Sequence, residues 1–255
     1  MSPSKLRSTN SSSLSETGAD VAIRAVVFDW GGTLTPWHDV DRQAQWYAYS
    51  QMYDPPNAAS LARRLRDREE ELWRTQRETQ GRVSTGALES LFLAEGIDVN
   101  GARHLRALGS YLDFWAPHTY ADPDAKELLT SLRRNGYLVG VLSNTMWPRS
   151  YHQEVFARDD LDHLIDCAVY SSELSMAKPH ASAFQVVLQA LGVEPSETVF
   201  VGDRLWDDIV GAQKAGMRTI WVPHSTDAGR EVPEAAPDAT LQRLMDVLDI
   251  VEGWR

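Results

Sequence analysis

The stretch that decides the fold is Val26-Val27-Phe28-Asp29-Trp30-Gly31-Gly32-Thr33-Leu34-Thr35. An apolar run typical of a buried strand stops at the carboxylate of Asp29, and a glycine pair and a threonine follow. An acidic side chain at the carboxyl end of a buried strand is badly placed for packing. Ligands of open α/β sheets, however, bind beyond these strand ends. Asp29 is therefore a candidate for chemistry at the edge of a sheet.

The pattern of an apolar strand with a polar tip returns three times after residue 118. We predict strands over 137–142, 164–170 and 198–201, which end in Ser143-Asn144-Thr145, Ser171-Ser172-Glu173 and Gly202-Asp203. Helices are predicted over 123–132, 181–191, 209–215 and 241–251, and a further strand over 218–222. Strands that alternate with helices indicate an α/β fold with a Rossmann-like parallel sheet and helices on both faces.

Residues 39–115 differ from this pattern, because they are rich in Arg, Glu, Gln and Ala and their apolar spacing is helical. Breaks at 54–57, Gly81 and Gly96 separate the predicted helices. We therefore expect a core domain of residues 21–37 and 118–255, with an all-helical cap domain inserted at 38–117. Residues 1–20 are rich in Ser, Thr and Asn and lack the apolar stretch of a signal peptide, so we expect a disordered tail.

Charge and composition narrow the classes of partner. The net charge of -11 argues against general binding to nucleic acid or to an anionic membrane surface. No apolar run reaches the length of a membrane span. The single cysteine, Cys167, has no intramolecular disulfide partner, which fits a reducing, cytoplasmic location, and we expect its side chain to be buried. Monomer and homodimer stay open as oligomeric states.

Four segments, in chain order, resemble the signature motifs of the haloacid dehalogenase-like hydrolase superfamily. They are Asp29-Trp30-Gly31-Gly32-Thr33, Ser143-Asn144, Lys178-Pro179, and Gly202-Asp203 followed by Asp207 and Asp208. Each motif alone is weak, but their order, each at a strand tip or just before a helix, is specific. The resemblance covers about residues 21–225. The insert after the first motif resembles the C1-type helical cap of subfamily I.

The resemblance implies a phosphatase in which Asp29 attacks phosphorus and forms an aspartyl-phosphate, which splits one hard step into two easier ones. Lys178 would neutralise the attacking carboxylate and the phosphoryl oxygens. Ser143, with the backbone amides near Gly32 and Asn144, would bind the phosphate. The partner expected from this resemblance is a small phosphorylated molecule.

The resemblance also implies a magnesium site. Asp29 and Asp203 would share a Mg²⁺ ion, which prefers oxygen ligands, and the backbone carbonyl of Gly31 would be the third protein ligand. Asp207 and Asp208 would orient the lysine or metal-bound water. The family spacing favours Asp208 for this task.

Gly31 departs from the pattern of the superfamily's phosphatases, which usually carry a second aspartate two residues after the nucleophile. That aspartate protonates the leaving oxygen and then activates water, and loss of such a group costs about 10²- to 10⁴-fold in rate. Leaving groups of low pKa need less protonation. Alternatively, His38, Asp39 or Asp41 would substitute for the missing acid.

Two further functions stay open. One is 2-haloacid dehalogenase-type cleavage, since relatives that cleave carbon–halogen or carbon–phosphorus bonds also lack the second aspartate. The intact Gly202-Asp203 favours a metal site and phosphoryl transfer instead. Phosphonoacetaldehyde hydrolases need a cap lysine, and residues 38–117 contain none. The other function is a catalytically weak binding or regulatory protein, against which the joint presence of Asp29, Lys178 and Asp203 counts.

Aromatic and basic residues give the substrate clues. Four of the nine tryptophans lie within a few residues of a motif, namely Trp30, Trp37, Trp147 and Trp206. They indicate an apolar or planar leaving group, although packing alone also explains each of them. An arginine of the insert, such as Arg63 or Arg64, is a candidate to bind a substrate carboxylate or a second phosphate. Most arginines there are expected to pair with acidic neighbours on helix surfaces.

Overall fold

The computed structural model describes residues 21–224 and 232–254, so the tail predicted at 1–20 lies outside the described residues. The strands are β1 Ala25–Phe28, β2 Leu138–Ser143, β3 Cys167–Tyr170, β4 Thr198–Gly202, β5 Arg218–Trp221 and β6 Ala239–Thr240. Together they form one sheet in the order β3-β2-β1-β4-β5-β6. Every pairing is parallel, which confirms the α/β class with a parallel sheet.

Helices surround the sheet and fill the long connection between β1 and β2. In that connection lie α1 Arg42–Tyr53, α2 Ala58–Glu78, α3 Leu88–Ala94 and α4 Ala102–Trp115. After it come α5 Ala125–Arg134, α6 Arg149–Arg158, α7 Ala181–Leu191, α8 Gly211–Lys214 and α9 Val247–Gly253. Within the described residues, none of these helices has both the length and the apolar character that a bilayer crossing requires.

The central strand β1 is buried on both faces, because successive side chains of a strand point to opposite sides of the sheet. Val26 and Phe28 pack into one apolar cluster, which also takes in α5, α9 and the four helices between β1 and β2. Ala25 and Val27 pack into a second cluster with α7 and α8. Continuous apolar runs are typical of strands covered by helices on both sides.

Backbone hydrogen bonds join the helical connection to the sheet side of the molecule. The amide of Ala177 donates to the carbonyl of Gly81 at 2.8 Å, and the amide of Leu88 donates to the carbonyl of Met146 at 2.7 Å. Gly81 has a φ of +74°, and a Cβ there would lie 2.1 Å from the carbonyl oxygen of Ala177. Only glycine permits this close approach.

Several boundaries differ from the sequence prediction. The helix predicted at 209–215 is preceded by a π-helical turn, Leu205–Val210, and the final helix starts at Val247 instead of at 241 because a 3₁₀ turn comes first. The strand predicted from 164 starts at Cys167, since 162–164 form another 3₁₀ turn. Helix α6 and the two-residue β6 were not predicted. Cys167 is only half-buried, and burial raises the pKa of its thiol.

Candidate active site

Two acidic residues lie beyond the carboxyl ends of the two central strands. Asp29 follows β1 and Asp203 follows β4, and these strands pair in register, with Phe28 opposite Val201. The chain leaves β1 toward β2 on one side, whereas β4 leads to β5 on the other. Asp29 and Asp203 are both buried. They therefore flank the point where the strand order reverses, which is where open α/β sheets bind ligands.

The turn after β1 wraps tightly around Asp203. Gly32 has a φ of +91°, and a Cβ there would lie 2.6 Å from Oδ2 of Asp203. The hydroxyl of Thr33 donates to Oδ1 of Asp203 at 3.3 Å. The amide of Gly32 donates to the hydroxyl of Thr35 at 3.4 Å within the same turn. Gly32 thus allows the loop after β1 to contact the aspartate after β4.

Lys178 is fully buried between two carboxylates. Its ammonium donates to Oδ1 of Asp29 and to Oδ1 of Asp208, each at 2.7 Å. Burial alone would lower the pKa of Lys178, but the charges of Asp208 and Asp29 outweigh it and raise the pKa above its usual value. The lysine is therefore a permanent cation beside Asp29.

Backbone contacts fix both Lys178 and Asp208. The side-chain oxygen of Asn144 accepts from the Lys178 amide at 3.0 Å, and its NH₂ group donates to the Lys178 carbonyl at 2.9 Å. The second oxygen of Asp208 accepts from the amide of Arg204 at 2.9 Å. A Cβ on Gly202 would lie 2.4 Å from Cβ of Asp208, so this position also requires glycine. Asn144 therefore positions the lysine through its side chain.

Among the described residues, carboxylates outnumber cations at this site. Carboxylate oxygens of Asp29, Asp203 and Asp208 all lie within 4.8 Å of one another. Burial raises the pKa of Asp208, with Lys178 acting in the opposite direction. The guanidinium of Arg204 adds a second cation to the site. Asp207 lies 3.7 Å from this guanidinium and contacts Arg204, not Lys178. A cluster of buried, hard oxygen donors with more carboxylates than cations fits a divalent ion such as Mg²⁺.

A cavity of about 510 Å³ opens above these residues, between the sheet edge and the helical connection. Asp29, Gly31, Ser143 and Lys178 line its floor. Tryptophans and a tyrosine line its walls, namely Trp30, Trp37, Trp73, Tyr111, Trp115 and Trp147. The predicted site residues Asn144, Asp207 and Asp208 also reach it. Gly32 and Asp203 lie beneath it, in contact with each other.

Sequence reasoning missed the helical residues of this cavity. One face of α2 contributes Glu69, Trp73, Gln76 and Arg77, which are spaced as successive turns of a helix. Glu69 is buried and accepts hydrogen bonds from Trp46 at 2.8 Å and from Arg42 at 3.3 Å. The sequence signal for this cavity-lining face is a mixture of tryptophan and polar residues at helical spacing. A search for apolar residues at helical spacing does not detect such a mixed face.

Three residues named as substrate contacts do not reach the cavity. Arg64 donates to Glu95 at 2.9 Å, on the outer side of α2, and Arg63 is exposed. Trp206 instead packs under the ammonium of Lys214, 4.7 Å from its ring centroid. These three candidates lie outside the cavity, because motif proximity and charge do not tell which face of a helix points inward.

A smaller cavity of about 160 Å³ adjoins Gly31 and is lined by His38, Asp39 and His118. A Cβ on Gly31 would meet no other heavy atom within 4 Å. Asp41, also named as a substitute acid, instead caps α1 by accepting from the amide of Ala44 at 3.0 Å. Space for a side chain therefore exists where the sequence has glycine.

Known proteins similar to this chain agree on one family. A family model described as haloacid dehalogenase-like hydrolase matches residues 23–216. A glyceraldehyde 3-phosphate phosphatase from Methanopyrus kandleri is 29% identical over 234 residues, 90% of this chain and 97% of that one. A phosphoserine phosphatase from Thermus thermophilus is 33% identical over 125 residues, 49% of each chain.

Solved structures show the same fold. A HAD phosphatase from Thermococcus onnurineus has a TM-score of 0.64 at 23% identity, covering 91% of this chain and 99% of that one. A 2-haloacid dehalogenase from Pseudomonas syringae has a TM-score of 0.61, also at 23% identity, covering 91% and 100%. Phosphatases and dehalogenases are thus both structural neighbours, and the overall shape does not separate the two chemistries.

Proposed function

The chain belongs to the haloacid dehalogenase-like hydrolases, and from this premise we propose that it is a phosphatase that hydrolyses a small phosphomonoester through an aspartyl-phosphate on Asp29. One observation carries this function. The carboxylate of Asp29 lines the floor of a substrate-sized cavity and is held at 2.7 Å by a buried lysine. The phosphatase names of the relatives support the same reaction.

In the proposed reaction, a carboxylate oxygen of Asp29 attacks phosphorus and the bond to the ester oxygen breaks. The leaving oxygen keeps the bonding pair and takes a proton from water. A water molecule then attacks the phosphorus of the aspartyl-phosphate, which releases inorganic phosphate and restores the Asp29 carboxylate. In both steps, Lys178 offsets the repulsion between the Asp29 carboxylate and the phosphoryl oxygens. Because Lys178 is buried, this electrostatic interaction is stronger than it would be in water.

Phosphate binding is assigned to Ser143 and to backbone amides near Gly32 and Asn144. Ser143 lies on the floor of the cavity beside Asp29 and Lys178. The Asn144 side chain is occupied by the Lys178 backbone, so the contribution of Asn144 to phosphate is assigned to its amide. Preorganised donors of this kind act where charge develops in the transition state.

The metal is assigned to Asp29, Asp203 and the carbonyl of Gly31. The excess of carboxylates over cations among the described residues of the site supports a divalent ion, and Mg²⁺ would supply charge neutralisation for the phosphoryl oxygens. Asp208 is assigned to orient Lys178, since its two oxygens accept from that lysine and from the Arg204 amide. Asp207 is assigned to hold the guanidinium of Arg204 through an ion pair.

Residues 38–117 are proposed to form the cap, over a core of 21–37 and 118–255. Helices α1, α2 and α4 of this segment line the cavity above Asp29, so they would exclude water and select the leaving group. A cytoplasmic location is proposed from the single, half-buried Cys167. Dehalogenation is disfavoured because it needs no metal, whereas here acids cluster beneath the nucleophile.

The test is phosphate release from a panel of phosphate esters, with Mg²⁺ or with a chelator, for wild type and Asp29→Asn. We expect release that requires both Mg²⁺ and Asp29. Halide release from 2-haloacids is measured in parallel. Release of halide without phosphate, unaffected by the chelator, would contradict the phosphatase.

A further inference from the structure

The cavity is larger than a three-carbon phosphate requires. Its volume of about 510 Å³ falls in the range of about 300–1,000 Å³ that is typical of sites for drug-sized ligands. Its walls carry five indole rings and one phenol ring, at Trp30, Trp37, Trp73, Trp115, Trp147 and Tyr111. Stacked or edge-on contact with such rings favours a planar, aromatic ligand.

Two wall tryptophans hold buried polar atoms that lack partners among the described residues. The indole nitrogens of Trp37 and Trp73 are buried and have no hydrogen-bond partner among the described residues. The side-chain oxygen of Gln76, one helical turn from Trp73, is likewise buried without a described partner. Buried donors and acceptors normally have partners, so these atoms leave the cavity wall with hydrogen-bonding capacity that the described residues do not use.

Arg77 differs from the other arginines that line the cavity. Arg42 contacts Glu69 at 3.3 Å, and Arg204 contacts Asp207 at 3.7 Å. The Arg77 side chain is exposed at the rim and makes no ion pair or hydrogen bond within 21–224 and 232–254. A guanidinium that is not neutralised by the protein is suited to bind a carboxylate in a bidentate manner.

The missing acid at Gly31 points independently to an aromatic ester. Without a proton donor beside the ester oxygen, the rate depends on how well that oxygen leaves as an anion. A phenol has a pKa of about 10, whereas that of water, which alkyl alcohols resemble, is about 15.7. A phenolate is therefore the leaving group that needs the acid least.

We propose that the substrate is an aryl phosphomonoester, namely a phosphorylated phenol that carries a carboxylate. This proposal rests on the phosphatase function proposed above. The phosphoryl group lies at Asp29 and Lys178, the ring packs among the tryptophans, and the carboxylate pairs with Arg77. Attack by Asp29 breaks the bond between phosphorus and the phenolic oxygen. The phenolate leaves with the electron pair and is protonated by water.

The first test compares kcat/KM for esters that separate ring, charge and leaving group. We use meta- and para-carboxyphenyl phosphate, phenyl phosphate, benzyl phosphate, glyceraldehyde 3-phosphate and phosphoserine. Benzyl phosphate has the ring but an alkyl alcohol as leaving group. We expect a carboxyphenyl ester to rank first, phenyl phosphate second, benzyl phosphate well below it, and both three-carbon phosphates last.

The second test assigns the carboxylate contact. Arg77→Gln should lower kcat/KM for the carboxyphenyl esters by about 10- to 100-fold, mainly through KM, because one charge-assisted interaction is lost. The decrease in kcat/KM for phenyl phosphate, which has no carboxylate, should be several-fold smaller. Arg74→Gln is the matched control, since Arg74 lies on the same helix, is exposed and pairs with Glu71 outside the cavity. This control should change neither ester.

The outcomes separate the substrate from the function. Asp29-dependent turnover in which the three-carbon phosphates exceed every aryl ester would overturn the aryl substrate and leave the phosphatase standing. An equal effect of Arg77→Gln on kcat/KM for phenyl phosphate and for the carboxyphenyl phosphates would show that Arg77 does not bind the carboxylate. Absence of Asp29-dependent release from all esters would overturn both proposals.

Discussion

The ammonium of Lys178 lies 2.7 Å from Oδ1 of Asp29, and both side chains are buried although 149 positions separate them in the chain. The same ammonium holds Asp208 at an equal distance. A buried carboxylate is costly unless it is paired, so this contact compensates the burial of the Asp29 side chain and holds it at the cavity. We therefore expect both the stability and the reactivity of the protein to depend on this one lysine.

Replacing Lys178 tests this dependence. Lys178→Met leaves Asp29 and Asp208 buried without their cation, which we expect to lower the free energy of unfolding by about 3–5 kcal/mol and to abolish phosphate release. Urea denaturation measures the first effect. Lys126→Met is the matched control, because Lys126 pairs with Asp160 on the surface and should matter little. Equal stability of the two variants would show that the buried pair is not what holds the site together.

Gly32 is expected to tolerate no side chain. In Gly32→Ala, the Cβ would collide with the Asp203 carboxylate, and the φ of +91° adds about 1–2 kcal/mol of strain. We expect loss of activity together with a lower melting temperature in calorimetry. Gly109→Ala, inside α4 with no atom within 4 Å of the new Cβ, should be neutral or slightly stabilising. An active Gly32→Ala enzyme would show that activity does not require the close contact between the turn at Gly32 and the Asp203 carboxylate.

Gly31 is expected to accept an aspartate. Its Cβ position is open, so Gly31→Asp adds a carboxyl group where related phosphatases carry their acid. We expect turnover of benzyl phosphate to rise by about tenfold or more, within the range of general acid catalysis, and that of phenyl phosphate to rise much less. Gly31→Asn supplies the same shape without the acid. If Asn and Asp behave alike, the missing proton donor is not what limits alkyl esters.

Divalent metal should stabilise the protein through Asp203. Binding to the native state alone raises the melting temperature, so wild type should show a saturable increase with Mg²⁺. Asp203→Asn should lose this response, whereas Asp162→Asn, in an exposed acidic cluster, should keep it. If Asp203→Asn showed the full increase in melting temperature with Mg²⁺, the ion would have to bind at another site.

Glu95 should make stability depend on pH. Burial raises its pKa, but hydrogen bonds from Arg64 and Arg68 outweigh this and hold the pKa below its usual value. The stabilisation is therefore complete above the unfolded-state pKa of about 4.3 and is lost as the pH falls through the folded-state value. Glu95→Gln should lower stability at pH 7 by about 0.5–1 kcal/mol. The difference should vanish in acid.

Denaturation at several pH values checks this prediction. Glu78→Gln is the control, because Glu78 is exposed at the end of α2 and forms no ion pair within the described residues. A difference between Glu95→Gln and wild type that persists unchanged below the folded-state pKa would contradict the ionic cause.

The sheet and its motif residues were predictable because the carboxyl ends of parallel strands meet at one edge. That rule alone brings Asp29, Ser143 and Asp203 together. Helix α7 was predicted with its observed bounds, since Gly192 at a φ of +67° ends it. The parallel α/β fold is thereby confirmed.

The cavity walls were not predictable, because they depend on how α2 and α4 are rotated over the sheet. Nothing local distinguishes Arg77, which lines the cavity, from Arg64, which pairs with Glu95 on the other side of the same helix. The rotation is set by tertiary contacts such as the close approach of Gly81 to Ala177. Roles of the site residues stay predictions until the variants are measured.

Trapping the covalent intermediate tests the central claim most directly. Wild-type enzyme is mixed with phenyl phosphate and Mg²⁺, quenched in acid within the first turnover, digested and mapped by mass spectrometry. We predict phosphate on the peptide that contains Asp29, and none on that peptide in Asp29→Asn. Rapid phosphate release with Asp29 unmodified, or with the adduct on another residue, would contradict nucleophilic attack by Asp29.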